Sequence, residues 1–289
     1  MKTWSTPVRA GKSGKIPCLC SGGVFKPALD CEGFGYVRCA SCGLVQMNPQ
    51  PLKDEVIERY SRAFGGDYLS YELENEAGFL KLQQLALEDA GFTKFEKNLF
   101  SRAAEEAPPS VLDIGCATGA LLFFLRERGW RVTGVEISPC AGYAKNSRGL
   151  DVRNLPLEDN NFPSAGFDAV LASHLIEHLN DPRSFLAEIR RVLKPGGRVF
   201  ITTPNISGFQ ARLYGARWRS AIFDHLYLFS ARTLKKLLKS EGFKIEKIST
   251  WGGLAAGLAP SWLKKAADFL AKHLSSGDVM IVRAVSSGQ

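Results

Sequence analysis

From Pro51 onward the chain alternates between two kinds of hydrophobic spacing. Leu52–Tyr60, Tyr71–Ala90 and Thr93–Ala107 repeat apolar residues at three- and four-residue intervals with Glu and Lys between them, which predicts helices. Pro108-Pro109 closes that stretch, because neither residue can donate a backbone hydrogen bond. Short apolar runs and helical spacing then take turns. Strands are expected at Val111–Ile114, Arg131–Glu136, Phe167–Ala172 and Arg198–Thr202, and helices at Ala120–Arg128, Cys140–Arg148 and Arg183–Leu193, the last closed by Lys194-Pro195-Gly196-Gly197. After a loop region come a helix at Ala231–Ser240 with Gly242 as its stop, and strands at Phe243–Ser249 and Val279–Val285. Repeated units of this size predict an α/β fold, a doubly wound and mainly parallel sheet with helices on both faces.

Before Pro51 the pattern breaks down. Residues 16–50 are rich in Cys, Gly and Pro and carry only short apolar runs, as expected of a metal-stapled knuckle. Residues 1–15 hold Lys2, Arg9, Lys12 and Lys15 with no apolar stretch behind them, so they read as a flexible basic tail and not a secretory signal. The expected organisation is a tail at 1–15, a Cys-rich zinc-ribbon-like module at 16–50, a helical linker or lid at 51–107 and the α/β domain at 108–289.

Five of the seven cysteines lie before residue 43. Without a secretory signal, clustered thiols point to a metal more than to disulfides, and the expected location is the cytoplasm. Cys18-x-Cys20 and Cys39-x-x-Cys42 are 18 residues apart, and the second pair has zinc-knuckle spacing. These four are the candidate ligands of a structural zinc, with unliganded thiols as the alternative. The first pair is one residue short of C-x-x-C, which makes Cys31 a substitute candidate.

Composition changes this picture little. Of 289 residues, 45% are hydrophobic and 23% charged, enough to build a core. No apolar run approaches the roughly 20 residues needed to cross a bilayer, so no membrane partner is expected. The formal charge of +8 suits anionic partners or simple solubility and does not choose between them.

The most informative chemistry is the run Val111-Leu112-Asp113-Ile114-Gly115-Cys116-Ala117-Thr118-Gly119-Ala120, a strand entering a glycine-punctuated turn and then a helix. Gly115 and Gly119 let the backbone bend sharply and approach a ligand closely. Asp113 can accept hydrogen bonds from an ammonium group or from the turn's own amides. Glu136, at the tip of the next strand, stands where two charge-assisted bonds can grip a ribose diol. A nicotinamide binder would need G-x-G-x-x-G to seat a pyrophosphate, whereas here the spacing is Gly115-x-x-x-Gly119 and Asp113 repels phosphate. The pair is hospitable to a cationic sulfonium ligand.

That turn resembles the first motif of class I S-adenosylmethionine-dependent methyltransferases, and Glu136 resembles their ribose-binding acid. The similarity continues through Leu157-Glu158-Asp159, Phe162-Pro163, Phe167-Asp168, Ile176-Glu177-His178-Leu179, Leu193–Gly197 and Glu241-Gly242-Phe243, over about the last two-thirds of the chain. The resemblance implies a Rossmann-like sheet of seven strands with the last antiparallel, a role that Val279–Val285 fits. It implies S-adenosylmethionine bound by Asp113, Gly115, Cys116, Ala117, Gly119, Glu136 and Ile137, with Leu157 and Glu158 flanking the adenine and Ala172 and Ser173 beside the methionine moiety. The run from Tyr36 through Cys39 and Cys42 to Asn48-Pro49 is similar to zinc ribbons attached to some bacterial methyltransferases, many of them thought to act on sugars or other small metabolites.

Chemistry is expected beside Ser173-His174-Leu175-Ile176-Glu177-His178. Methyl transfer mainly requires orientation, and an oxygen acceptor also needs a base, for which His174 and His178 are the candidates. On a helix, His174, Glu177 and His178 would share one face and, with His225, form a plausible divalent-metal site; the alternative is that Glu177 and His178 only cap a helix or orient the loop. In Asn205–Phe229, Arg212, Tyr214, Arg217, Trp218 and Arg219 suit a planar or anionic acceptor, or equally an amphipathic helix with a basic edge. Three functions stay open: a small-molecule O- or C-methyltransferase, an RNA methyltransferase binding through the ribbon and basic surface, and a non-catalytic S-adenosylmethionine-binding protein. The Asn/Asp-Pro-Pro-aromatic signature common in base N-methylation has no counterpart at Ser173–Ile176.

Overall fold

The computed structural model describes residues 16–63, 65–102, 107–252, 271–272 and 276–286, with the side chains of 62–67 left aside. The expected basic tail therefore lies outside the described residues. Three strands come first, β1 (Phe25–Cys31), β2 (Phe34–Cys39) and β3 (Val45–Met47). They are followed by α1 (Lys53–Glu58), a π turn at Arg59–Ala63, α2 (Gly65–Asp89) and α3 (Phe92–Arg102). The alternating region contributes β4 (Ser110–Ile114), α4 (Ala120–Glu127), β5 (Arg131–Val135), α5 (Cys140–Arg148), β6 (Val152–Arg153), β7 (Phe167–Ser173), α6 (Pro182–Val192) and β8 (Leu193–Pro204). The chain continues through α7 (Phe209–Tyr214), β9 (Tyr227–Leu228), α8 (Ala231–Ser240), β10 (Phe243–Trp251) and β11 (Val279–Ser286).

Seven strands form one sheet in the order β10-β11-β8-β7-β4-β5-β6. β4 pairs in parallel with both β5 and β7, and β11 runs antiparallel to β8 and β10. The expected last antiparallel strand is therefore present. β6 is only two residues long, too short for any periodicity to reveal. Lys194–Gly197, expected as a turn, belongs to β8 and takes up a register shift against β7.

The two-residue side-chain period of the strands divides the core. Val111, Ala169, Leu171, Phe200 and Ile281 pack on one face with Ala86, Leu87, Ala90, Phe92 and Phe95 of α2, α3 and their link. Leu112, Val170, Ala172, Val199, Ile201, Met280 and Val282 face the other way, towards Phe185, Leu186 and Ile189 of α6 and Leu234, Leu237 and Leu238 of α8. Asp181 starts α6 by accepting from the amides of Arg183 and Ser184.

The N-terminal strands are joined to this body by a shared sheet. Their order is β1-β2-β3-β9, so the last strand comes from beyond residue 225. Val45 pairs with Leu228 and Gln46 with Tyr227, and the Met47 amide donates to Leu226 at 2.9 Å. The Tyr36 hydroxyl shares its proton between the carbonyls of Ile222 (2.7 Å) and His225 (2.9 Å). Arg183 of α6 donates to the Leu19 carbonyl.

On the opposite face a buried carboxylate fastens α3. Glu96 accepts from Trp130 Nε1 at 2.8 Å and from two nitrogens of Arg128. Burial works to raise the Glu96 pKa, but these bonds outweigh it and hold the carboxyl below its usual range. Replacing Glu96 by Ala leaves a buried indole N–H without an acceptor and is expected to cost about 2–3 kcal/mol in denaturant unfolding. Glu96→Gln, which still offers Trp130 an oxygen, should cost less. A loss below about 0.5 kcal/mol for Glu96→Ala, the size of an ordinary surface change, would deny the clasp its role.

Candidate active site

Parallel pairing delivers three strand ends to one edge. Ile114 is level with Val135 of β5 and with Ala172 of β7, so Gly115, Glu136 and Ser173 leave the sheet side by side. The chain goes from β4 to β5 on one side and returns to β7 on the other, the kind of switch point where sheets of this type open a crevice.

The turn after β4 is built from left-handed backbone, with φ of 75° at Gly115, 46° at Ala117 and 76° at Gly119. A Cβ on Gly119 would stand 2.6 Å from Leu150 Cδ1, so both conformation and space demand glycine there. Cys116 lies over β5, where a Cβ on Gly134 would come within 2.7 Å of its sulfur. Burial, with the charges of Asp113 and Glu136 behind it, pushes that thiol well above its ordinary pKa. A packed neutral thiol is no nucleophile.

Glu136 is almost buried, and its carboxylate holds the turn open. Oε2 accepts from the Ala117 amide at 2.9 Å and Oε1 from the Ser138 amide at 2.8 Å. Ile137 lies half-buried between them in sequence. Asp113 is 1% exposed, and its Oδ1 has no hydrogen-bond partner. Burial first, and the Glu136 charge second, raise its pKa to about 8. Leu157 is buried at the start of a 3₁₀ turn, while Glu158 beside it is exposed, 3.6 Å from Lys53. Ala172 is buried and Ser173 half-buried at the end of β7.

His174, Glu177 and His178 do not lie on an α-helical face. His174 is exposed with φ of 51°, and Ile176–His178 forms a single 3₁₀ turn. The groups nevertheless converge. His174 Nδ1 stands 3.3 Å from Glu177 Oε1, and Thr203 donates to Oε2 at 2.9 Å. Burial opposes ionisation of Glu177, yet the nearby imidazoles prevail and bring its pKa to about 2. His225, from the distant loop, meets His178 with ring centroids 4.7 Å apart. Ligand atoms of Glu177, His178 and His225 lie within 4.8 Å of one another.

The tautomers follow from the partners. His178 Nδ1 is 2.8 Å from the Asp224 carbonyl, and His225 Nδ1 is 2.8 Å from the Ser220 carbonyl. A carbonyl only accepts, so each Nδ1 carries a proton. Burial and the neighbouring His178 lower the His225 pKa to about 4 and keep it neutral. Tyr60 places its hydroxyl 2.8 Å from His178 Nδ1, and Arg59 pairs with Asp224. No spacing in the sequence pointed to Tyr60, Arg59 or Thr203 as neighbours of these histidines.

In the loop between β8 and α8, Trp218 is buried and donates to Asp278 Oδ2 at 3.2 Å, with Arg219 at 3.3 Å from the same oxygen. These two are committed to holding the loop on β11. Arg212, Tyr214 and Arg217 are exposed.

The four candidate metal ligands of the N-terminal module come together. Cys18 and Cys42 sulfurs are 3.4 Å apart, Cys20 and Cys39 are 3.6 Å apart, and all four lie within 4.8 Å. A tetrahedron of Zn–S bonds of about 2.3 Å has edges of about 3.8 Å, so the cluster fits that ion. The short Cys18-x-Cys20 step is made good by a tight turn with Ser21 at φ 61°, whose amide bonds back to Cys18 at 2.7 Å. Cys31 instead lies 3.8 Å from the Ala216 carbonyl and does not belong to the cluster.

A seven-stranded sheet of this order, with a left-handed turn after its central strand and an acid at the next strand's tip, defines the class I S-adenosylmethionine-dependent methyltransferases. Residues 87–248, more than half of the chain, match the family model described as a methyltransferase domain, and the chain belongs to that family. It is 33% identical over 112 residues to a ubiquinone biosynthesis O-methyltransferase of Acinetobacter baumannii, covering 36% of this chain and 47% of that protein. A protein of the same name from Xanthomonas axonopodis pv. citri is 29% identical over 163 residues, covering 52% of this chain and 68% of that one. The chain thus spans about half the length of the first of these relatives. A solved SAM-dependent methyltransferase from Thermotoga maritima superposes with a TM-score of 0.52 at 19% identity, covering 76% of this chain and 99% of that one, and shares the fold.

Because Asp113 has a raised pKa in the folded state, it adds stability below its unfolded value near 4 and loses it as pH rises through about 8. Asp113→Asn should therefore melt higher than the parent protein at pH 9 without ligand, with the advantage fading towards pH 4. Equal melting temperatures at pH 9 would count against the buried carboxyl.

Proposed function

We propose that the protein transfers a methyl group from S-adenosylmethionine to a small-molecule acceptor by O- or C-methylation. The observation that carries this reading is the buried Asp113 carboxyl, left without a partner behind a glycine turn and beside a second acid. Such a pair is poorly suited to phosphate and wants a cation, which a sulfonium amino acid is. Asp113 would meet the charged end of the donor, and the lone pairs that Glu136 does not spend on amides would take the ribose hydroxyls. Ile137 and Leu157 would enclose the adenine, with Glu158 at its edge, and Ala172 and Ser173 the methionine moiety.

S-adenosylmethionine supplies a methyl on positively charged sulfur, open to in-line displacement. For a hydroxyl acceptor, His178 Nε2 would take the proton as the oxygen–carbon bond forms. Its Nδ1–H bond to Asp224 fixes the ring for that task. His174, exposed at the mouth of the crevice, is the other candidate base. The O-methyltransferase relatives support an oxygen acceptor, and the exposed Arg212, Tyr214 and Arg217 support a planar or anionic one. A second reading of the same cluster is a divalent cation on Glu177, His178 and His225, favoured by two imidazoles whose Nδ1 atoms face carbonyls beside an ionised carboxylate. Such an ion would lower the pKa of an acceptor hydroxyl.

With labelled donor and fractionated small molecules or RNA, label should enter a small molecule. His178→Ala should cut turnover about 10²-fold or more while donor affinity changes little, and full activity would remove it from the chemistry. Stimulation by added Mg²⁺ or Mn²⁺ would select the cation reading. Label in RNA alone, or tight binding without transfer, would replace the small-molecule reading.

We further propose that Cys18, Cys20, Cys39 and Cys42 hold a structural zinc. The ribbon it would brace holds β9 and, through Tyr36, the segment carrying His225. Metal analysis should find about one zinc per chain. Cys39→Ser with Cys42→Ser should lose it and lower turnover more than donor affinity. Full activity without zinc would reduce the ribbon to an ornament of the fold.

A further inference from the structure

The long helix α2 carries Tyr68, Glu72 and Glu76 at four-residue intervals, hence on one face. Glu76 is engaged by two other elements. Thr118, buried within the glycine turn, donates to its Oε2 at 2.5 Å, and Arg148 at the end of α5 donates to both oxygens at 2.6 Å. One turn earlier, Glu72 is hydrogen-bonded to Tyr68 and lies within range of the Glu136 and Glu76 charges. The stripe therefore reaches the turn through Glu76 and comes near the charge of Glu136 through Glu72.

The two halves of α2 are held differently. Its buried apolar residues, among those described, are Ala86 and Leu87 near the C-terminal end, which enter the core beside α3. Glu76 itself is held by polar bonds, and Tyr71 and Leu73 on the same stretch are exposed. A helix anchored by apolar packing at one end and by an ion pair at the other can detach locally at the polar end.

We propose that α2 forms the outer wall of the donor pocket, and that Glu76 is the positioning residue that latches this wall to the glycine turn through Thr118 and Arg148. Donor and product then exchange by release of the latch. The assignment rests on the donor-site reading above and adds residues that touch the turn from outside. It also accounts for a buried threonine at the fourth place of the turn, where a hydroxyl is otherwise costly.

Stopped-flow release of S-adenosylhomocysteine from the full-length protein tests it. Glu76→Ala should release product at least roughly tenfold faster, the effect of losing a charged hydrogen bond, with association changed far less. Glu76→Gln keeps an acceptor for Thr118 but loses the charge that Arg148 pairs with, and should fall between. Thr118→Val should also speed release, and adding it to Glu76→Ala should gain little, because both remove one contact. Slower amide exchange across residues 68–80 on adding product, weakened in Glu76→Gln, would support the latch independently. Unchanged release rates in Glu76→Ala and Thr118→Val, even with a lowered melting temperature, would overturn it. A parent protein that binds neither donor nor product would overturn the donor site itself, and the latch with it.

Discussion

The carboxylate of Glu136 holds two amides that belong to different turns, Ala117 after β4 and Ser138 after β5. Most of the site geometry depends on that bridge. The turn after β4 has three left-handed residues in five, and its amides need acceptors. Glu136 accepts one of them across the gap between adjacent parallel strands. Asp113 lies buried nearby with an oxygen unpaired. The fold bears the cost of a buried carboxyl where the proposed donor's cation would sit, a usual pattern at functional sites.

The second constraint works from the other side of the crevice. His225 reaches His178 only because the loop after β8 folds back, and that loop is held by elements remote in sequence. Trp218 and Arg219 tie it to Asp278 at the start of β11, and Tyr36 takes the carbonyls of Ile222 and His225. β9 then completes the N-terminal sheet. The cysteine cluster thus belongs to the same small sheet that pairs with the loop supplying one imidazole. The paired tautomers, each fixed by a backbone carbonyl, are a consequence of this fold-back.

The α/β alternation and the glycine turn with its two acids were legible in the sequence alone, while the antiparallel last strand was implied by the family resemblance. The first two are local. Strand and helix periods are read within a dozen residues, and a left-handed turn calls for glycine wherever it occurs. The departures also have local reasons. Lys194–Gly197 looks like a helix stop but is drawn into β8 by pairing, and β6 is too short to carry a period.

What only the tertiary structure decided is which distant side chains meet. The helical reading of His174, Glu177 and His178 predicted a shared face. The chain turns as a 3₁₀ segment instead, and Glu177 and His178 converge with His225 because two loops pack together. Cys20 rather than Cys31 completes the thiol cluster because Ser21 adopts a left-handed turn, a backbone choice that residue type does not dictate. Glu76 reads in sequence as one charge on a solvated helix face, and it becomes part of the site only when α2 is laid across the turn. Periodicity is a property of neighbours along the chain, whereas a site is made of neighbours in space, and packing alone converts the first into the second.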